Sequence, residues 1–193
     1  MKLSKEEKKC WQKHFRIEKL QDIPTEMTGF SSVDGDADDE LMFYFAKRVS
    51  ISEMYLKCTW VTDEGVSHIS KIKQLKELSL IDHRNITKAS IPYINQMAHL
   101  ETLNIMKTEI TLSDLCENLN NQNLKVLFVS SEENEANIDK KALILKERMP
   151  KCDIYLDTYF TTDVFGNPEK PIFKNVRFRK RAQVFQLKDK KIL

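Results

Sequence analysis

The sequence predicts an α/β fold: a right-handed solenoid with a parallel inner sheet, an outer layer of helices, and N- and C-terminal caps. Three observations carry this expectation. A short apolar strand pattern returns at a near-constant interval. An apolar residue followed by Thr or Asp returns at nearly the same interval, and apolar residues at helical spacing follow each such pair.

The strand pattern is L-x-x-L-x-L or its aliphatic equivalent. It occurs at Ile51-Met54-Leu56, Leu75-Leu78-Leu80, Leu100-Leu103-Ile105 and Leu124-Leu127-Val129. The starts are spaced by 24, 25 and 24 residues. A looser fifth copy begins near Lys151, with Ile154 and Leu156 in the apolar slots. Its interval is longer because "SSEENEAN" extends the preceding loop.

The second pattern is Val61-Thr62, Ile86-Thr87, Ile110-Thr111 and Ile138-Asp139. A Thr or Asp there caps a helix, because its side-chain oxygen accepts an orphan backbone N–H. The helical stripes that follow are Val66, Ile69 and Ile72; Ile91, Ile94 and Met97; Leu112, Leu115 and Leu119; and Leu143, Leu145 and Met149. Each unit thus reads strand, loop, cap, helix.

These motifs, from about Ile51 to Asp157, closely resemble the leucine-rich repeat family in its helix-backed branch, the ribonuclease-inhibitor-like and cysteine-containing repeats. The resemblance implies a horseshoe segment in which stacking buries faces that one unit alone leaves exposed. The family often places Asn or Cys at the ninth position of the unit. Here that position holds Thr59, His83, Thr108 and Glu132. Threonine is expected to bond neighbouring turns in part; His83 and Glu132 are not.

The expected organisation is one compact domain: a helical N-terminal cap over 1–50, four to five repeats over 51–157, and a C-terminal cap with a basic tail over 158–193. In the first part, "DADDELMFYFAKRV" reads as a helix with an acidic first turn, suited to the helix dipole. Ser4 and Glu7 fit a capping box, and Cys10, Trp11, Phe15 and Leu20 fit the stripe of an earlier helix. In the last part, Gly166-Asn167-Pro168 marks a turn, and Ile172, Val176 and Phe178 suggest extended capping segments.

Composition narrows the function classes. Net charge is +2, so no global field favours a nucleic acid or an anionic membrane. The longest apolar run, Leu41 to Ala46, falls far short of a bilayer span. The N-terminal charges do not suit a secretory signal. Cys10, Cys58, Cys116 and Cys152 are scattered and never form C-x-x-C, so free thiols in the cytoplasm are expected.

No catalytic, metal or cofactor site is expected. "DGDADDE" lacks the EF-hand glycine and glutamate, since Asp39 and Phe45 occupy those places. The histidines His14, His68, His83 and His99 make no zinc pattern. Cys58 and His83 can be drawn as a nucleophile and base on successive strands, but nothing completes the set. Four glycines leave no phosphate-binding loop.

Binding to another protein is the expected role, as an inhibitor, an immunity-type protein or an assembly adaptor. Period-2 alternation sends the x-slots to the concave face. They are Glu53, Tyr55 and Lys57; Glu77, Ser79 and Ile81; Thr102, Asn104 and Met106; Val126, Phe128 and Ser130; and Asp153, Tyr155 and Asp157. Tyr55, Met106, Phe128 and Tyr155 are the expected anchors, because aromatic and Met side chains on an exposed sheet favour contact. This surface projects to roughly 250 Å², against about 800 Å² per partner in a standard interface, so rim loops must contribute to a tight complex. The alternative is a nucleic acid or acidic partner gripped by Arg177, Arg179, Lys180 and Arg181, with interleaved Phe side chains. No small-molecule substrate is expected.

Overall fold

The computed structural model describes residues 3–131 and 136–158, together with Thr161 and Pro171. Helix α1 (Lys5–Phe15) and a 3-10 turn (Leu20–Asp22) precede strand β1 (Glu26–Val33). Then come α2 (Asp39–Arg48), β2 (Ser50–Lys57), α3 (Asp63–Ile69) and β3 (Glu77–Ile81). A 3-10 turn (Lys88–Ser90) leads into α4 (Ile91–Gln96), followed by β4 (Thr102–Asn104), α5 (Leu112–Asn118) and β5 (Val126–Val129). Helix α6 (Ile138–Arg148) and β6 (Asp153–Leu156) complete the described elements.

The six described strands form one parallel sheet, each hydrogen-bonded to the next in chain order. Phe30, Met54, Leu78, Leu103, Leu127 and Ile154 are successive register partners. The segments that begin at Ile51, Leu75, Leu100 and Leu124 therefore lie side by side. Parallel neighbours require a crossover, and the helices supply it. They pack over the sheet face that carries Ile51, Met54, Leu56, Leu78, Leu80, Leu103 and Leu127, and form one continuous core with it. Full burial of each such side chain stabilises the fold by about 1.5–3 kcal/mol.

The part expected to be a wholly helical cap contains a strand. Met27, Phe30 and Ser32 pair in register with Ile51, Met54 and Leu56, so the strand spacing reaches back one more unit. Ser32 fills the third apolar slot and hides the pattern in the sequence. It is tolerated because β1 is the terminal strand and Ser32 is only half-buried. Helix α2 forms over the acidic-start segment, and Asp38 caps it by accepting the Leu41 N–H at 3.0 Å.

Helix α1 is clamped onto α2 by one carboxylate. Ser4 accepts the Glu7 N–H at 3.1 Å, as a capping box requires. The Glu7 side chain instead takes Arg48 Nε at 2.7 Å and Lys47 Nζ at 3.1 Å while only 1% exposed. The Arg48 guanidinium holds this carboxyl below its ordinary value against the opposing effect of burial. Beneath the clamp, Trp11, Phe15, Phe30 and Phe45 pack ring on ring at 4.8–5.9 Å.

Thr62, Thr87 and Thr111 cap their helices. The first two also reach across units. Asp39 accepts the Thr62 N–H at 2.8 Å and hydroxyl at 2.7 Å. Asp63 does the same for Thr87, at 2.9 and 2.7 Å, and also accepts the Ser90 hydroxyl. Lys88 occupies the next equivalent place and has no carboxylate to offer. Thr111 consequently closes a capping box with Asp114 of its own helix. The expected Asp139 cap is not formed: Asn137 is the N-cap, in the left-handed region, and makes no side-chain cap bond. In α6 the buried stripe is Ala142, Leu145 and Met149, with Leu143 only half-buried, because helical spacing from Leu145 selects position 142.

No described helix is long and apolar enough to cross a membrane. The expected turn at Gly166-Asn167-Pro168 and the segments with Ile172, Val176 and Phe178 lie outside the described residues.

Asp63 organises three donors across a unit boundary, whereas Asp114 serves only its own helix. Asp63→Ala is expected to lower stability by about 2 kcal/mol and Asp114→Ala by about 1 kcal/mol. The check is the urea midpoint at unchanged m-value.

Candidate functional site

The sheet face opposite the helices divides into two parts. Its central column runs Ser31, Tyr55, Ser79, Asn104, Phe128, Tyr155 in register. A second column runs Gly29, Glu53, Glu77, Thr102, Val126, Asp153. The sheet thus brings the expected x-slots into columns, and β1 extends them with Gly29, Ser31 and Val33.

Exposure does not follow the expectation. Ile81, Met106, Phe128 and Tyr155 are buried and form a second apolar cluster, with Val126 packed against it. The Phe128 and Tyr155 rings stack with centroids 5.1 Å apart. Asn104 is also buried, and its Oδ1 accepts the Met106 N–H at 3.1 Å to turn the chain out of β4. Met106, Phe128 and Tyr155 are therefore corrected from exposed anchors to packed side chains, and Ile81 and Asn104 from surface to interior. Alternation fixes which face a residue occupies; it does not say whether that face is bare.

Two further candidates have structural partners. Asp157 accepts the Ser131 N–H at 2.8 Å and the Ser131 hydroxyl at 2.6 Å. Asp153 lies 3.6 Å from the buried Lys146 ammonium, which also donates to the Cys152 carbonyl. Thr102, Lys57 and Ser79 are half-buried.

The bare part lies at β1–β3. Glu53, Tyr55 and Glu77 are exposed there, as are Gly29 and Ser31. Val33 is 49% exposed, Tyr55 39%, and Trp60, in the loop after β2, 70%. Trp60 was not among the sequence candidates. It lies between Thr59, which bonds the next turn, and Val61, which is buried in the core. An indole flanked by Thr and the cap-pair valine was the available signal. A groove at the strand starts, lined by Glu26, Met27, Thr28, Ser50, Ser52 and Gln74, adds mainly polar surface.

Of the Cys58–His83 pair, His83 is engaged by Thr59. His83 Nε2 accepts the Thr59 N–H at 3.3 Å and lies 2.8 Å from the Thr59 hydroxyl. The side chain expected not to bond neighbouring turns therefore does so; Glu132 lies outside the described residues. Burial lowers the His83 pKa, opposed by the Ile81 backbone and the Asp82 carboxylate. Cys58 sits in the left-handed region (φ 51°), as do Asp34 and Asp82 at the matching strand ends. Desolvation, then Asp34 and Asp82, push its thiol up, so little nucleophilic thiolate forms. Burial pushes Cys10 and Cys152 up to about 12. Among the described residues no three His, Cys, Asp or Glu side chains are arranged to hold a metal.

Arg177, Arg179, Lys180 and Arg181 lie outside the described residues. The chain matches no protein-family model and no curated protein.

Phe128→Ala is expected to cost about 3 kcal/mol of stability, because it opens a cavity in the second cluster. An unchanged urea midpoint would return Phe128 to the list of bare anchors. His83 gives a pH test. The unfolded imidazole protonates near pH 6.5, before the folded one, so its contribution is complete above about 6.5 and is lost as pH falls through the lower folded value. Thermal melts between about pH 7.5 and 5 should show a fall in Tm that His83→Gln flattens.

Proposed function

We propose that this chain is a leucine-rich-repeat-type solenoid that works as a non-catalytic protein-binding module. The in-register return of a strand every two dozen or so residues, each followed by a helical crossover, supports the solenoid reading. The binding surface is the bare part of the helix-free sheet face at β1–β3, together with the rim loop after β2. One observation carries this reading: Val33 on β1, Tyr55 on β2 and Trp60 in the loop after β2 stay exposed, although Ile81, Met106, Phe128 and Tyr155 farther along the sheet are buried. Exposed aromatic side chains with polar surroundings characterise contact sites more than plain surface.

This site is smaller than the expected face, so the partner inserts a loop or an extended segment rather than docking a broad surface. The rim loop then supplies much of the contact, with Trp60 and Tyr55 as anchors and Glu53, Glu77 and Lys57 setting charge preference. A non-catalytic role accords with the structural employment of His83 and the raised pKa values of Cys10, Cys58 and Cys152.

Tyr55→Ala combined with Trp60→Ala should leave the urea midpoint within about 0.5 kcal/mol of wild type, since both side chains are exposed. Retention of the native partner from cell extract should fall at least about tenfold, as hot-spot aromatics carry most of an interface's energy. Equal retention by the stable double variant would count against this face.

A further inference from the structure

Glu53 and Glu77 are direct register partners on β2 and β3, and both are exposed. No cation among the described residues forms an ion pair with either. Like charges opposite one another on adjacent strands oppose folding. Two strands farther on, the same fold neutralises an acid: Lys125 Nζ lies 2.7 Å from Glu101. The Glu53–Glu77 register pair thus keeps two exposed acids without a described cationic partner, one of them two residues from the exposed tyrosine.

The surroundings of the pair are open. Tyr55 has serines on both sides in register, Ser31 and Ser79, so its ring has only small neighbours across the strands. The register partner of Glu53 on β1 is Gly29, and the Glu53 carboxylate leans to 4.0 Å from where a Gly29 Cβ would stand. Glu53 and Glu77 therefore stand in one column of the sheet, with Tyr55 in the neighbouring column two residues along from Glu53. Lys57 is two residues beyond Tyr55 on the same strand, and among the described residues it forms no ion pair with either acid.

Resting on the protein-binding reading above, we propose that this patch recognises an arginine-bearing extended segment of a partner protein. A guanidinium stacks flat against a tyrosine ring while its N–H fork donates to carboxylates. Lysine offers a point charge without the fork, so the patch favours arginine. The charge complementarity excludes an acidic segment or a phosphate backbone here. The patch takes one or two side chains, which agrees with the small bare area.

The test is calorimetric titration of the full chain with short synthetic peptides in which Ser alternates with Arg, Lys, Gln or Glu. The Arg peptide should bind about 3–10-fold tighter than the Lys peptide and weaken as salt rises, while the Glu peptide should not bind. E53Q combined with E77Q should weaken Arg-peptide binding at least about tenfold and raise Tm slightly, because the repulsion is gone. Tyr55→Ala should weaken it about threefold or more, and Tyr55→Phe should retain it. Undiminished binding by the glutamine variant, or no binding of the Arg peptide at millimolar concentration, overturns the proposal. Equal binding of Gln and Arg peptides, lost with Tyr55→Ala, overturns the cation preference and leaves the protein-binding role standing.

Discussion

Every described strand after β1 lies against the strand of the preceding unit, and its apolar side chain lands on the apolar side chain before it. The row Phe30, Met54, Leu78, Leu103, Leu127 and Ile154 is the backbone ladder seen through its side chains. Two forces act in the same place. The parallel ladder satisfies the main-chain polar groups, and the row removes apolar surface from water. A register slip of one residue would turn each strand's apolar side chains away from the helices, so the row also fixes which side chains face the open side.

The loops bind this stack along its length by different means. Near the beginning, Asp39 and Asp63 each take the cap threonine of the following unit. At the middle, His83 reaches back to Thr59. Where Lys88 interrupts the carboxylates, Thr111 turns to Asp114 within its own helix. Glu7 secures the first helix by holding two cations from α2. A buried carboxylate is tolerable there because both charges answering it are within hydrogen-bonding reach.

The face opposite the helices is not one surface physically. Toward β4–β6, neighbouring apolar residues cover one another and behave as a second core. Toward β1–β3, Gly29, Ser31 and Ser79 are too small to shield Tyr55, and the register partners Glu53 and Glu77 form no ion pair among the described residues. The same column that stabilises the fold at one end is available for contact at the other. The aromatic content that marked the whole face in the sequence thus serves packing in one half and stays exposed in the other.

The sequence by itself determined the period, the strand and helix positions between Ile51 and Leu156, the threonine caps, and the columns of the open face. These depend on short-range patterning: a two-residue alternation, a helical stripe, and a cap residue ahead of it. Tertiary structure decided the rest. Strand β1 was not legible because Ser32 breaks the apolar pattern and Gly29 lowers strand propensity, and pairing with β2 supplies what propensity does not. The burial of Phe128 and Tyr155 was not legible because exposure depends on neighbours from other strands, which alternation does not report. The bond from His83 to Thr59 joins residues 24 apart, and only the stacking of turns brings them within hydrogen-bonding distance.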